Sequence, residues 1–278
     1  MSDLQPLPAR SPRPSPPRRP PRSVAPPPPA DIVGLTKTAP VSRRGFMSAS
    51  AAVAAGYTLA AGPVRADPIK TDAIGLATGE ARIALNGAEM PVYFARPSHV
   101  AKPPIVLVAM EIFGLHEYIR DVCRRLAKLG AFAIAPDLYF RSGDLTKIAE
   151  IQQLMPLVNA KPDEELILDL DATAAWAASR GGDANRLGII GFCRGGRTVW
   201  QYAARKSNLK AGVAFYGSLK DPDAQKPIWP KSPLDLAAEI KAPVLGLYGE
   251  ADQGIPVAQV EDMRARLKAA GKTADIKL

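Results

Sequence analysis

Histidine and cysteine are scarce in this sequence, with two of each in 278 residues. Two cysteines cannot build a framework of disulfides, and no cluster of cysteine and histidine has the spacing of a zinc site. Two histidines are also too few for a histidine-rich metal centre. We therefore expect no metal site, and no other cofactor is predicted.

A basic domain is also missing, although the formal charge of the chain is +9. Residues 1–66 hold nine basic and two acidic residues, which leaves 27 basic and 25 acidic residues in 67–278. The remainder thus carries a net charge of only +2, so the sequence predicts no nucleic-acid partner.

Residues 1–41 have almost no apolar periodicity and are rich in proline and arginine. Such a segment cannot bury enough apolar surface to offset the entropy lost on ordering. We interpret it as a disordered leader, and a ligand for a proline-binding domain is the alternative.

Residues 42–66 have the layout of a twin-arginine signal peptide. Arg43 and Arg44 precede Phe46 and an alanine-rich run that reaches Ala61. This run is too short and too weakly apolar for a stable membrane span, which needs about 20 apolar residues. The signal predicts a periplasmic or secreted protein that is cytoplasmic before export and meets the twin-arginine (Tat) translocon on the way. An amphipathic, mitochondrial-type presequence is the alternative.

Residues 67–278 are predicted to form the folded domain. Asn86-Gly87 between two alternating runs predicts an antiparallel hairpin. From residue 104 onward apolar strands alternate with helices, which predicts a mostly parallel α/β sheet flanked by helices with right-handed crossovers. The predicted helices end at Gly130 or cover 145–157, 163–180, 194–206 and 256–270.

The first of these helices has a clear apolar face. Its members are Ile119, Val122, Cys123, Leu126 and Leu129. Residues with this spacing share one side of a helix and pack on the sheet. Cys123 is therefore predicted to be a core residue without a chemical role.

The stretch from Arg186 to Lys206 reads as an apolar strand, a tight glycine turn and a helix. Its Gly-Phe-Cys-Arg-Gly segment has the G-x-Nuc-x-G form of a nucleophile elbow, with Cys193 as the nucleophile. Residues two places to either side must lack bulk because such a turn is strained. The amides at the start of the following helix would stabilise a thiolate and later an oxyanion. The alternative is a structural cysteine beside a glycine-rich turn.

Three reactive side chains follow three predicted strands: Glu111, Cys193 and Asp252. Sites in parallel sheets lie at the carboxyl ends of the strands, so we expect these residues to converge. A nucleophile followed along the chain by an acid is the order of α/β-hydrolases. Alternatively, Glu111 is a solvated loop carboxylate and Asp252 only caps the helix that follows it.

From about residue 75 to 278 the chain resembles the dienelactone hydrolases, cysteine-dependent members of the α/β-hydrolase fold. The matching segments are EIFGLHEYIRDVCRRLAKLGAFAIAPDLYFR, GFCRGGR, VAFYG and LYGEADQGIP. The resemblance implies that Cys193 is the nucleophile and that Asp252 orients the base. It also implies that Glu111 contacts the resting thiol and helps to generate the thiolate when substrate binds.

The resemblance assigns three further residues. The amides of Ile112 and Arg194 would form the oxyanion hole, and Arg141 would hold a substrate carboxylate. Arg141 could also be a surface arginine. The implied activity is that of a carboxymethylenebutenolidase, which cleaves a lactone or other ester through an acyl-cysteine.

The sequence departs from the family at its catalytic histidine, which follows the last strand in the family. Here the chain stops at Leu278 inside the corresponding strand, and neither His99 nor His116 matches. His116 lies a few residues past Glu111, near the mouth of the site, and acting as the base from there would require a different triad geometry. We therefore expect the sequence to be a fragment that is incomplete at its C-terminus. The alternative is an exported, catalytically silent protein that keeps the fold to bind a ligand.

Overall fold

The structure is a computed structural model that describes residues 69–85 and 87–278. The predicted leader over 1–41 and the predicted signal peptide over 42–66 lie outside the described residues, and so does Asn86. None of the helices in the described part of the chain is long and apolar enough to cross a bilayer.

The centre of the domain is a sheet of eight strands. In chain order they are β1 (Leu76–Leu85), β2 (Ala88–Pro97), β3 (Pro104–Ala109), β4 (Phe132–Pro136), β5 (Asp183–Phe192), β6 (Leu209–Phe215), β7 (Val244–Leu247) and β8 (Ala274–Lys277). Their order across the sheet is β1-β2-β4-β3-β5-β6-β7-β8. The β1–β2 and β2–β4 pairs are antiparallel and all other pairs are parallel. This arrangement confirms the predicted α/β architecture and its N-terminal hairpin.

Over the residues that the structure describes, five helices accompany the strands: α1 (Glu117–Lys128), α2 (Ile151–Asn159), α3 (Asp163–Ser179), α4 (Arg194–Arg205) and α5 (Val257–Ala269). The last three match their predicted ranges closely. The prediction of one helix over 145–157 was wrong at its start, because Leu145–Lys147 form a separate 3-10 turn. Asp144 stabilises that turn by accepting a hydrogen bond from the Thr146 amide, so the chain bends before α2 begins.

The predicted hairpin joins β1 to β2, and Leu85 pairs directly with Ala88. Gly87 has a φ of 82°. Glycine adopts this conformation without the clash that a Cβ atom would cause, so the residue type suits the turn.

The apolar face of α1 is buried as predicted at Ile119, Val122 and Cys123. The prediction was wrong for Leu129, which is 84% exposed. Leu129 lies one residue beyond the last turn of α1, and the chain there turns away toward β4. Periodicity alone cannot locate such a helix end.

Candidate active site

Cys193 lies between the end of β5 and the first residue of α4, with φ 53° and ψ −116°. Left-handed backbone is costly for a residue with a side chain, so the surrounding turn must impose it. A Cβ atom on Gly191 would lie 2.2 Å from the Gly195 carbonyl oxygen, and one on Gly195 would lie 2.1 Å from the Ala109 carbonyl oxygen. The two glycines therefore permit the close approach of strands and helix that raises Cys193 above the sheet.

Cys193 is half-buried, and the charges of two carboxylates act on its thiol. Burial raises its pKa, a hydrogen bond from the Arg194 amide lowers it, and the charges of Glu111 and Asp252 raise it further. Glu111 follows β3 and Asp252 follows β7, on either side of the elbow. The structure thus brings the three predicted side chains together at the carboxyl edge of the sheet.

Cys123 provides a contrast. Its side chain is fully buried in the hydrophobic core, and burial raises the pKa of this thiol far above its ordinary value. A thiol that does not meet solvent has no access to a substrate. Cys123 is therefore a packing residue, as its place on the apolar face of α1 predicts.

Glu111 is 8% exposed, and its Oε2 atom lies 3.1 Å from Nε2 of His116. The sequence places His116 near the mouth of the site but gives it no partner. The sequence does contain a feature that favours this contact, because the two residues are five positions apart in one loop. Without the loop conformation, however, this spacing does not reveal which way either side chain points.

Asp252 is half-buried and shapes the loop after β7. Its Oδ1 atom accepts hydrogen bonds from the amides of Gly254 (2.8 Å) and Ile255 (3.2 Å). These bonds order the turn that leads into α5, so Asp252 has a structural role at the helix entrance. Both use Oδ1, and no residue of the described part of the chain donates to Oδ2, so this oxygen can accept from a catalytic base.

The two amides predicted for an oxyanion hole belong to segments in close contact. Ile112 follows Glu111 in the loop after β3, and Arg194 begins α4. The backbone of Gly195 packs so tightly on that loop that a Cβ atom would lie 2.6 Å from the Met110 carbonyl oxygen. This contact is compatible with both amides facing one substrate oxygen.

Arg141 already binds carboxylates of the protein. Its guanidinium donates to both oxygens of Asp169 at 2.9 and 3.0 Å and to Glu165 at 2.6 Å. It also lies over the ring of Phe140, 4.3 Å from the centroid. A substrate carboxylate would have to compete with Asp169 for this bidentate position.

The first turn of α4 carries two buried arginines to which the sequence gave no side-chain role. Arg197 is 1% exposed and binds both Asp163 and Asp221. Arg194 stacks on Trp229 at 3.8 Å, and its Nε and Nη1 atoms have no hydrogen-bond partner among the described residues. Burial and the nearby charge of Arg197 lower the pKa of Arg194.

Asp137, just after β4, supports a prediction about pH. Burial raises the pKa of this carboxyl from its ordinary value of 3.8 to about 6. The folded state therefore holds the proton more tightly, and the stability this provides below about pH 4 is lost as the pH rises through about 6. We expect Asp137→Asn to increase the free energy of unfolding at about pH 8 by about 2–3 kcal/mol, because asparagine needs no deprotonation and still accepts from the Tyr139 amide.

Urea denaturation of wild type and Asp137→Asn from about pH 4 to about pH 8 measures this effect. The two proteins should differ little at the acidic end and diverge as the pH rises. A constant difference across the range would contradict the assignment of the raised pKa to Asp137.

Comparison with known proteins adds three findings to this geometry. The sequence model of the dienelactone hydrolase family matches residues 90–278. A candidate carboxymethylenebutenolidase from Methylorubrum extorquens is 49% identical over 249 residues, which cover 88% of this chain and 84% of that protein. A candidate 2-oxo-3-(5-oxofuran-2-ylidene)propanoate lactonase from Bradyrhizobium is 33% identical over 200 residues, which cover 70% of this chain and 77% of that protein.

Solved structures agree. The crystal structure of a candidate dienelactone hydrolase from Klebsiella pneumoniae has a TM-score of 0.70 and 51% sequence identity to this chain. The match covers 73% of this chain and 84% of that one.

Proposed function

This chain belongs to the dienelactone hydrolase family, and from that premise we propose that it hydrolyses a lactone or other carboxylic ester through a thioester on Cys193. The observation that carries the proposal is the position of Cys193, in left-handed backbone at the start of α4 with two carboxylates close to its sulfur. A structural cysteine needs neither the strained backbone nor the adjacent charges.

The proposed reaction has two halves. The Cys193 thiolate attacks the ester carbonyl, and the amides of Ile112 and Arg194 stabilise the oxyanion that forms. Collapse of this intermediate breaks the ester C–O bond, and the leaving alkoxide takes a proton. Water then attacks the thioester, which releases the carboxylic acid and restores the thiol. With a lactone, the alcohol and the acid stay in one product.

Two carboxylates have different roles in this proposal. Glu111 accepts the thiol proton when substrate binds, and Asp252 orients the base that handles protons in the later steps. Neither histidine occupies the position of that base, since His99 is exposed after β2 and His116 binds Glu111. A base located after β8 remains a prediction from the sequence, so activity should be measured on the whole reading frame.

The name of the Bradyrhizobium relative suggests which substrates to test first. That name describes an unsaturated lactone ring bearing a carboxylate. We propose the same class here, with Arg141 releasing Asp169 to bind the carboxylate. Guanidinium groups suit this exchange because they form two parallel hydrogen bonds with either partner.

The test is to trap the acyl-enzyme. The protein is mixed with carboxylate-bearing lactones and simple esters, quenched with acid and examined by intact-mass and peptide mass spectrometry. We expect hydrolysis products and a mass increase of one acyl group on Cys193. Cys123 is an internal control that should stay unmodified because it is fully buried. Product without an adduct on Cys193 would contradict the proposed nucleophile.

Export also remains a prediction, supported by Arg43 and Arg44 in the sequence. The alternative of a silent, exported binding protein makes a different prediction in the same experiment. Such a protein would bind an ester without forming an adduct or releasing product.

A further inference from the structure

His116 forms a hydrogen bond with Glu111, the carboxylate that accepts the thiol proton in the first step of the proposed reaction. The two atoms, Nε2 and Oε2, are 3.1 Å apart, and the Glu111 side chain is only 10% exposed. A carboxylate accepts hydrogen bonds and cannot donate them, so this contact requires a proton on Nε2 of His116. The bond is therefore charge-assisted and stronger than one between neutral groups.

The loop around His116 restricts its ring. Gly114 has a φ of 79°, and the His116 amide donates to the Gly114 carbonyl at 3.0 Å. The His116 carbonyl in turn accepts from the Arg120 amide in α1. The ring stacks on Tyr118 with an interplanar angle of 17° and meets the edge of Phe113. Backbone and aromatic contacts thus fix the direction of Nε2.

Glu111 has a long side chain with three rotatable bonds. Among the described residues, the hydrogen bond to His116 is the one side-chain contact of its carboxylate. A carboxylate that accepts the thiol proton must stay within reach of the sulfur. Functional groups are generally held in such positions by hydrogen bonds from neighbouring residues.

We propose that His116 is a positioning residue that donates its Nε2 proton to Glu111 and keeps this carboxylate facing Cys193. The inference rests on the proposed function, because it assigns the role of Glu111 at the nucleophile. It adds a residue that the family resemblance does not assign, and it makes His116 a partner of Glu111 and not a substitute for the triad histidine.

Other charged groups near this pair belong to two sides of the site. Toward the thiol these are Asp252 and the guanidinium of Arg194, whose charges both act on Cys193. Toward α1 these are Tyr118 and Arg120, and Arg120 pairs with Glu80. None of these groups is substituted in the variants below, and His116→Phe keeps an aromatic ring beside Tyr118 and Phe113 while it removes the hydrogen bond to Glu111.

The experiment measures how fast iodoacetamide alkylates Cys193 from about pH 6 to about pH 10, with peptide masses to identify the site. Alkylation needs no substrate and no triad base, so its result is independent of hydrolysis. Glu111 in its present position raises the pKa of Cys193. In His116→Phe the carboxylate is no longer held there, so we expect the midpoint of the alkylation profile to move to lower pH. A nearby charge of this kind changes the thiolate fraction at neutral pH by about tenfold.

Two further variants test whether the shift comes from the lost hydrogen bond or from the substitution of a histidine as such. Glutamine at 116 offers an amide N–H close to the place of Nε2, so His116→Gln should keep the wild-type profile. His99 is exposed in the turn after β2, and His99→Gln serves as the matched control that should change nothing. A His116→Gln profile that matches His116→Phe would overturn the proposal, because the hydrogen bond would then not be the cause.

The double variant Glu111→Gln/His116→Phe shows whether the effect of His116 depends on Glu111. If His116 acts only through Glu111, the double variant should have the same profile as Glu111→Gln alone. Shifts that add, or a His116→Phe profile equal to wild type, would overturn the proposal. His116→Ala replaces His116→Phe if circular dichroism shows that the larger side chain disturbs folding. If the alkylation profiles shift as expected but the protein hydrolyses no ester, the result contradicts the proposed function and leaves the role of His116 standing.

Discussion

Replacing Arg197 with methionine is expected to lower the free energy of unfolding by about 3–5 kcal/mol. The guanidinium donates to Asp163 at 2.6 and 2.9 Å and to Asp221 at 2.7 Å, and all three side chains are almost fully buried. Methionine fills much of the same volume but leaves two carboxylates without their counter-ion in a poorly solvated place. Urea denaturation at neutral pH, followed by circular dichroism, measures the loss.

Arg205 provides a matched control on the same helix. It pairs with Glu164 at 2.5 Å, but both side chains are largely exposed, at 49% and 61%. Exposed pairs contribute about 0–1 kcal/mol because water screens them, so Arg205→Met should change stability little. Equal losses in the two variants would show that burial of the Arg197 cluster is not what makes it important.

The buried cluster also shows what the sequence could not predict. Arg197 is 34 positions from Asp163 and 24 from Asp221, and its partners come from α3 and from the segment after β6. No local pattern pairs residues at such distances. The same holds for Arg141, whose partner Asp169 is 28 positions away. Its predicted role in binding substrate was inferred from the family resemblance, which says nothing of this ion pair.

The features that the sequence did predict are local ones. Apolar runs and helical periodicity located most strands and helices, because each pattern reflects how one element meets the core. The elbow could be recognised because close backbone contacts at Gly191 and Gly195 exclude any side chain. Convergence of Glu111 and Asp252 on Cys193 followed from a general property of parallel sheets, whose strands end at one edge. Helix ends, as at Leu129, depend on tertiary contacts and were less well predicted.

Replacing Cys193 with alanine is expected to reduce ester hydrolysis by about 10⁴-fold or more, the usual cost of removing a nucleophile that acts with a base and an oxyanion hole. Alanine keeps the backbone amides of Ile112 and Arg194, so substrate binding should persist while the thioester cannot form. Alanine has a Cβ atom like cysteine, so the strain at φ 53° is similar and the stability should change little. Steady-state kinetics and urea denaturation on the whole reading frame measure the two effects.

Cys123→Ala is the matched control, because it removes the other thiol of the chain. Cys123 packs in the core under α1, so this variant should lose about 1 kcal/mol of stability and keep its kcat. The two cysteines thus predict opposite outcomes: loss of activity with the fold intact at 193, and loss of stability with activity intact at 123. Full activity in Cys193→Ala would mean that another group attacks the ester, and the strained backbone at the elbow would then have no role in the reaction.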